Sequence, residues 1–234
     1  MEISTKVGFF PDGSRAVHSL EPHRLRQAIE TTLTDLGRPP TTVLVHNPER
    51  SLNGLSPRVA GDRLRAACAV LEQATGEGLC RRWGISTWTP HPVLMALATL
   101  HEDQKPLPQP DVLMTRAGIL VDAGTLAEID AVALLLGPGC DHWGMSPFSS
   151  TATDELWRAV NVHAILGETE PCTRHQAAFR LAYELPAVSS IAVGTDNRDH
   201  LRELLAARQL PVDAARITRY RQLLHGQQAT VHGS

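Results

Sequence analysis

The 234-residue chain is 42% hydrophobic and 20% charged, which excludes disordered, collagen-like and coiled-coil proteins. Its formal net charge of −3 argues against nucleic acid as a partner. The longest apolar run, Ala131–Leu136, is too short to cross a bilayer, and the first residues lack a signal-peptide pattern. The four cysteines are widely spaced without a CxxC pair, so we expect a reduced, cytoplasmic protein without membrane contact.

Short apolar runs alternate with amphipathic segments along the whole chain. The predicted strands are Ile3–Val7, Thr42–Val45, Gly84–Ser86, Val112–Met114, a weak one around Trp143, and Val188–Val193. The predicted helices follow Ser19 as far as Gly37, run from Ser56 to Gly76, and then cover Thr89–Leu100, Thr125–Leu136, Glu170–Glu184, Arg198–Arg208 and Val212–Leu224. This repeat of strand, loop and helix, roughly 35 to 40 residues long, indicates parallel strands with crossover helices. Because no linker interrupts it, we expect one domain over residues 1–234.

Polar side chains stand where several predicted strands end. Lys6 ends the first strand, His46 the second, Ser86 and Thr87 the third, and Arg116 the fourth. Parallel α/β sheets and barrels gather their chemistry at the carboxyl ends of strands. A single strand-end lysine or histidine is more often a solvated loop residue, but the group together predicts a site.

Five short motifs and one helical segment occur in the order found in aldo/keto reductases. They are ISTKVG (3–8), VLVHNPE (43–49), WGIST (83–87), MSPF (145–148), HQAAFRLAYELPAV (175–188) and SSIAVGT (189–195). The sequence therefore resembles that family, which implies an α/β fold of (β/α)-barrel type with its site at the barrel mouth. The resemblance aligns the first strand with the family's third, so we expect a TIM-barrel-like fold shortened to about six strand–helix units.

The resemblance assigns Lys6 and His46 to the Lys and His of the family's catalytic tetrad, and its Asp and Tyr belong to a segment before the TK motif. Several cofactor positions differ from the family pattern. The Ser-Asn pair that holds the nicotinamide amide reads Ser86-Thr87, and Met114, Met145 and Leu204 stand where the family has Gln, Tyr and Asn. Loss of several polar partners and of a stacking ring weakens binding of the nicotinamide cofactor by orders of magnitude. We therefore expect no cofactor and no hydride transfer.

NADP(H) remains the alternative cofactor, and the resemblance then implies a particular set of contacts. These are Ser86, Gly194, Thr195, Arg198, His200 and Glu203. Gly194 is equally explained by a tight turn between strand and helix. No metal site is predicted, because residues 140–143 alternate between two faces and no second ligand cluster accompanies them.

Arg116 is the predicted anchor for a substrate carboxylate or phosphate, since guanidinium groups bind such anions in a bidentate manner. The alternative is a surface arginine paired with Asp122. The other predicted substrate-binding residues are Asn47, Ser86, Thr87, Trp88, Met114 and Met145. Lys6 and His46 are the predicted catalytic acid/base pair, with the alternative that packing alone retains them.

The leading hypothesis is a non-redox enzyme of aldo/keto-reductase ancestry that acts on a small anionic substrate, within a biosynthetic pathway of specialised metabolism. Its reaction would be a dehydration, elimination, isomerisation or cyclisation, as in lyases and isomerases. The alternatives are an NADP-dependent reductase with an altered site and a non-catalytic pseudoenzyme partner. A barrel shortened by two units exposes strand edges and apolar surface, so we expect a homo-oligomer, most simply a homodimer.

Overall fold

The computed structural model describes residues 1–148, 157, 159–167 and 171–231. The chain divides into two compact units. The first comprises Met1–Thr115 and Glu128–Asp141, and the second comprises Arg116–Ala127 and the described part of His142–Ser234. The single domain over residues 1–234 stays a prediction.

The strands of the first unit form a parallel sheet and a separate hairpin. They are β1 (Ser4–Val7), β2 (Phe9–Asp12), β3 (Arg15–His18), β4 (Thr42–His46), β5 (Arg82–Thr87) and β6 (Val112–Arg116), of which the last residue, Arg116, belongs to the second unit. The parallel pairs are β1 with β4, β4 with β5, and β5 with β6. The strands β2 and β3 pair in antiparallel fashion. The hairpin therefore lies outside the parallel sheet, between β1 and the first helix along the chain.

Helices follow the strands as the sequence predicts. They are α1 (Pro22–Leu36), α2 (Glu49–Leu52), α3 (Pro57–Gly76), α4 (His91–Glu102) and α5 (Ala123–Leu136). Helix α1 ends at Gly37, which has a φ of 64°, because glycine adopts the left-handed conformation of a helix cap without steric cost. The predicted stop of the first helix is thus confirmed.

In the second unit, β7 (Asp141–Met145) and β8 (Ser190–Ala192) pair in parallel, with Trp143 opposite Ser190. Its later helices are Val162–Leu166, Arg174–Leu181, Arg198–Ala207 and Ala214–Val231. The helix predicted from Glu170 begins at Arg174, because Thr173 caps it: the Thr173 hydroxyl accepts the Gln176 N–H and the Gln176 side chain accepts the Thr173 N–H. Glu170 itself lies outside the described residues.

All six predicted strands are present in the described chain, and helices alternate with them. The predicted fold class, a shortened relative of the (β/α) barrel, is confirmed. The hairpin Phe9–His18 was not predicted, although its Pro11-Asp12-Gly13 sequence is typical of a turn. The short helices Glu49–Leu52 and Val162–Leu166 were also missed, since one helical turn has no periodic pattern to read.

The core of the first unit lies between the sheet and its helices. Val43, Val45, Ile85 and Leu113 pack with buried side chains of α1, α3 and α4. Because side chains alternate along a strand, Leu44 and His46 lie on the opposite face of β4. That second face carries the candidate site. Among the described residues, no helix is long and apolar enough to cross a membrane.

We predict that Gly84→Ala destabilises the chain by about 2–3 kcal/mol, the usual cost of overpacking a filled core. A Cβ at Gly84 would lie 2.7 Å from Cδ2 of Leu44 and closer still to the carbonyl oxygen of Val112. The measurement is urea unfolding at equilibrium. Gly76→Ala is the control: its Cβ would meet no atom within 4 Å, and alanine favours the helix by up to about 1 kcal/mol. Equal stability of the two variants would contradict the packing argument.

Candidate active site

Lys6 and His46 share one face of the first unit's sheet at the carboxyl ends of β1 and β4. The register pairs Lys6 with Leu44, and His46 lies two residues beyond Leu44. In adjacent parallel strands, about 4.8 Å apart, paired residues point to the same face, as do alternate residues of one strand. The row continues through Ser86, which pairs with His46, to Met114, which pairs with Ser86. Four predicted site residues thus share a face.

The hairpin adds two side chains that sequence reasoning missed. The Phe9 ring makes edge-on contacts with two imidazoles, at centroid distances of 4.9 Å to His18 and 4.8 Å to His46. The Arg50 guanidinium carbon lies 5.5 Å from the Phe9 centroid. Lys6, Phe9, His18, His46 and Arg50 are called the strand-end cluster below. Its signal in the sequence was the turn at Gly13, which folds Phe9 and His18 towards each other.

His18 attaches the hairpin to the segment that follows β4. Its Nε2 lies 2.7 Å from the backbone oxygen of His46, and its Nδ1 lies 2.7 Å from Oγ of Ser51. A carbonyl oxygen only accepts, so the Nε2–H of His18 is the donor. In the neutral ring, Nδ1 therefore accepts from the Ser51 hydroxyl. The backbone at His46 is fixed in this way from the hairpin side.

Gly8 allows this close approach. It has a φ of +135°, and a Cβ there would lie 3.1 Å from Nε2 of His18 and 3.2 Å from the carbonyl oxygen of His46. Its carbonyl oxygen accepts the Ser19 N–H at 2.8 Å. Any larger residue would both be strained and press on the hydrogen bond between His18 and His46.

Glu49 fixes the same segment from the other side. Its carboxylate is buried and accepts three hydrogen bonds, from the Thr87 hydroxyl at 2.9 Å and from the backbone N–H groups of Trp88 at 2.7 Å and Thr89 at 3.1 Å. It joins the loop after β4 to the loop after β5. The quoted motif VLVHNPE contains this residue, but its role appears only when the donors that surround it are seen.

Burial and nearby cations keep the His46 imidazole neutral at ordinary pH. Its pKa is lowered to about 4, first by burial and then by repulsion from Lys6, His18 and Arg50. Burial also lowers the pKa of Lys6. The pKa of His18 is lowered by burial, then raised by its bond to the His46 carbonyl and by Glu49, and lowered by Arg50. The cluster is therefore rich in positive charge around an uncharged base.

The remaining predicted substrate residues of this unit have mixed environments. Thr87 is fully buried and its hydroxyl donates to Glu49, and Ser86 is fully buried with its carbonyl accepting the Asn47 N–H at 2.7 Å. Asn47 has a φ of 52°, and its buried Oδ1 has no hydrogen-bond partner among the described residues. Met114 is buried and Trp88 is 37% exposed. Their substrate-binding roles stay predictions.

Arg116 and Met145 belong to the second unit. The Arg116 guanidinium donates to the Thr125 hydroxyl at 3.1 Å and lies 3.7 Å from the Asp122 carboxylate, so the pairing that the sequence left open as an alternative is present. Met145 is buried and its carbonyl accepts the Ala117 N–H at 3.0 Å. Anion binding by Arg116 stays a prediction.

The residues at the cofactor positions that the resemblance implies have different environments, and the absence of a cofactor stays a prediction. The Thr87 hydroxyl is held by Glu49, and Leu204 is buried against Phe179 and Ala207, where an adenine contact is expected. The Thr195 hydroxyl accepts the Asn197 N–H at 3.1 Å, beside the exposed Gly194. The remaining positions are exposed on the helix that follows: Arg198, His200 and Glu203.

Both tyrosines of the chain lie in the second unit, where each contacts other residues of that unit. The Tyr220 hydroxyl donates to the Ile119 carbonyl at 2.9 Å, and burial raises the pKa of this phenol. Tyr183 packs against Phe179 at a ring distance of 5.6 Å. Among the described residues, no group of three or more His, Cys, Asp or Glu side chains could hold a metal ion.

Solved structures with a similar fold are aldo-keto reductases. The holo form of one from Bacillus halodurans is 16% identical, with a TM-score of 0.63 over 95% of this chain and 72% of that one. An aldose reductase from Giardia lamblia is 16% identical, with a TM-score of 0.63 over 96% and 72%. A Pseudomonas aeruginosa protein assigned to these enzymes is 22% identical, with a TM-score of 0.57 over 88% and 66%.

No family model matches the sequence, and no curated protein is significantly similar to it. The chain spans about two thirds of the length of the solved structures. At these identities the likeness establishes the fold, which is that of the aldo-keto reductases.

We predict that Glu49→Ala lowers the free energy of unfolding by about 3 kcal/mol, because three donors lose a buried, charged acceptor. Thermal and urea unfolding measure the change. Glu72→Ala, on the exposed surface of α3, is the matched control and should change stability by less than about 0.5 kcal/mol. Similar losses in the two variants would show that the Glu49 carboxylate contributes no more than a surface acid.

A second prediction concerns pH. The folded chain holds the pKa of His46 near 4, below its ordinary value of 6.5, so the unfolded chain binds more protons between these values. The contribution of His46 to the free energy of unfolding is therefore fully present above pH 6.5 and is lost as the pH falls towards 4. Urea midpoints measured across this range should fall less steeply in His46→Gln than in the wild type. Parallel curves would contradict the lowered pKa.

Proposed function

We propose that this chain, which has the fold of the aldo-keto reductases, is an enzyme of that ancestry that transfers protons rather than hydride. Its substrate would be a small anionic carbonyl compound that binds at the strand-end cluster. The observation that supports this best is the position of Lys6 and His46 on one face of neighbouring strands, with both side chains available. In the described part of the chain, neither forms an ion pair or a side-chain hydrogen bond.

A neutral imidazole with two uncommitted ring nitrogens is suited to accept a proton. An ammonium group nearby stabilises negative charge that develops on a substrate oxygen. The hydrogen bond between His18 and the backbone oxygen of His46, together with the hydrogen bonds of Glu49, holds the His46 imidazole in place. A positioned base of this kind contributes typically about a hundredfold or more to the rate.

The proposed first step removes a proton from the carbon beside the substrate carbonyl. The C–H electron pair forms a C=C bond, the carbonyl electrons move to oxygen, and the proton goes to His46. Lys6 donates a hydrogen bond to the resulting enolate oxygen. In a substrate with a conjugated C=C bond, the enolate extends over it, and return of the proton to its far carbon gives isomerisation. In a substrate with a leaving group on the carbon next to the deprotonated one, the enolate electrons re-form the C=O bond, a new C=C bond forms, and the group departs with its electron pair, which gives elimination. Neither route changes the oxidation state of the protein.

Two observations support proton transfer over hydride transfer. Thr87 donates its hydroxyl to Glu49 and so is not available for a nicotinamide amide. Leu204 is part of a hydrophobic cluster, so the residue there offers no polar contact to adenine. No step is therefore assigned to a nucleotide.

The second candidate function is an NADP-dependent reductase with an altered site. It is favoured by the solved structures that share this fold, since those described above belong to the aldo-keto reductases. The resemblance implies NADP(H), and the expected contacts would be Ser86, Gly194, Thr195, Arg198, His200 and Glu203. A direct binding measurement separates the two candidates.

We predict that the chain catalyses exchange of deuterium from heavy water into the position beside the carbonyl of at least one small oxo acid. Proton NMR of a panel of 2-oxo and 3-oxo acids follows this exchange. His46→Gln and Lys6→Met should each slow it by about a hundredfold. Lys105→Met is the matched control, because Lys105 is the other lysine of the chain and pairs with Asp62. Equal rates in all variants would refute the assignment of the pair.

We further predict that NADPH does not bind in the micromolar range. Fluorescence titration of the full chain measures the affinity, since bound NADPH changes its emission. Micromolar binding together with reduction of an aldehyde would establish the reductase and overturn the proton-transfer proposal.

A further inference from the structure

We propose that Arg50 and Lys6 together bind the oxyanion of the substrate, a carboxylate or a phosphate, beside the His46 imidazole. This inference rests on the proposed function and names its substrate class. The sequence had assigned the anion contact to Arg116 and gave Arg50 no role.

The placement of Arg50 comes from the fold. It lies in α2, directly after the segment that leaves β4, and its guanidinium carbon is 5.5 Å from the Phe9 centroid. The same ring lies 4.8 Å from the His46 ring. The guanidinium and the imidazole therefore lie near the same aromatic ring. Lys6 reaches the same face from the neighbouring strand β1.

Positive charge dominates the surroundings of the His46 imidazole. Lys6 on β1, His18 on β3 and Arg50 on α2 act on this imidazole, and all three repel its protonated form. Within the residues that the structure describes, neither Lys6 nor Arg50 forms an ion pair with an acid. Glu49 is the acid beside Arg50, and its oxygens accept from Thr87, Trp88 and Thr89. Two cations near one strand end that form no ion pair with an acid among the described residues favour an anionic ligand.

Two arginines that could be considered for the same role have acidic partners. Arg26 pairs with Glu30 and Glu77, and Arg116 pairs with Asp122 within the second unit. A guanidinium whose charge is already matched gains less from binding a ligand. Arg50 is stacked near an aromatic ring, which restricts the side chain without neutralising it.

Binding of an anion at this position would also change the pKa of the His46 imidazole. The anion offsets the repulsion that Lys6 and Arg50 exert on the imidazolium, so the pKa of His46 rises from about 4 towards neutrality. A base whose pKa lies near the working pH is the more effective one. By linkage, the anion binds more tightly when His46 is protonated. A neutral substrate would leave the imidazole a weak base.

The test uses the full chain labelled with ¹³C at the lysine ε-carbons. The sequence contains two lysines, Lys6 and Lys105, so two side-chain signals arise, and Lys105→Met assigns them. Inorganic phosphate is titrated in one arm and succinate in the other, and the tighter arm identifies the anion class. We expect a saturating shift of the Lys6 signal and none at Lys105. Arg50→Gln should weaken binding by at least about tenfold, the effect of losing a charge-assisted contact.

Arg24→Gln is the matched control, because Arg24 lies 4.2 Å from the centroid of Phe10, the residue next to Phe9. It should bind the anions as the wild type does. Imidazole NMR signals, assigned with His46→Gln, give the second readout. Saturating anion should raise the pKa of His46 by more than about one unit in the wild type and in Arg24→Gln, and by much less in Arg50→Gln.

Shifts that never saturate, or equal affinities in Arg50→Gln and Arg24→Gln, would overturn the inference. The titration involves neither turnover nor a nucleotide. A chain that binds anions in this way but fails the deuterium exchange would refute proton transfer and leave the anion site standing. Exchange without saturable anion binding would refute the anion site alone.

Discussion

The buried Glu49 carboxylate is the interaction on which the candidate site depends. Its two oxygens accept three donors from the loop after β5, although Glu49 itself belongs to the segment after β4. A buried carboxylate is costly unless its lone pairs are used, and here they are used by a side-chain hydroxyl and two backbone N–H groups. This arrangement joins the loops that follow two neighbouring strands, and in the described part of the chain Arg50 forms no ion pair with an acid.

From the opposite side, His18 holds the backbone at His46, and Gly8 leaves room for that contact. The His46 ring is thus carried on a segment that is fixed at two points, while its own nitrogens form no hydrogen bond among the described residues. Rigid support with a free functional group is what a positioned base requires. The same burial that fixes the segment lowers the pKa of the imidazole, so positioning and basicity oppose each other until an anion balances the charge.

Sequence reasoning predicted the parallel strands because each is a short apolar run bounded by turn residues, and it predicted the end of α1 because Gly37 stands there. It placed Lys6 and His46 on one edge because consecutive parallel strands share that edge. Phe9 and His18 were missed, since an antiparallel hairpin inserted after a parallel strand breaks no periodic pattern. Glu49 and Arg50 were missed because their roles depend on which donors and charges meet them in space. An exposed and a buried charge look alike in a sequence.

The hydrogen bonds of His18 have a consequence for its titration. When the ring is neutral, Nε2 donates to the His46 carbonyl and Nδ1 accepts from Ser51. When it is protonated, both nitrogens donate, and the Ser51 hydroxyl turns to accept instead. The ring therefore gains or loses its charge without breaking either bond, because a hydroxyl serves as donor or acceptor by rotation alone. The hairpin remains attached in both charge states, and only the electric field at the neighbouring imidazole differs between them.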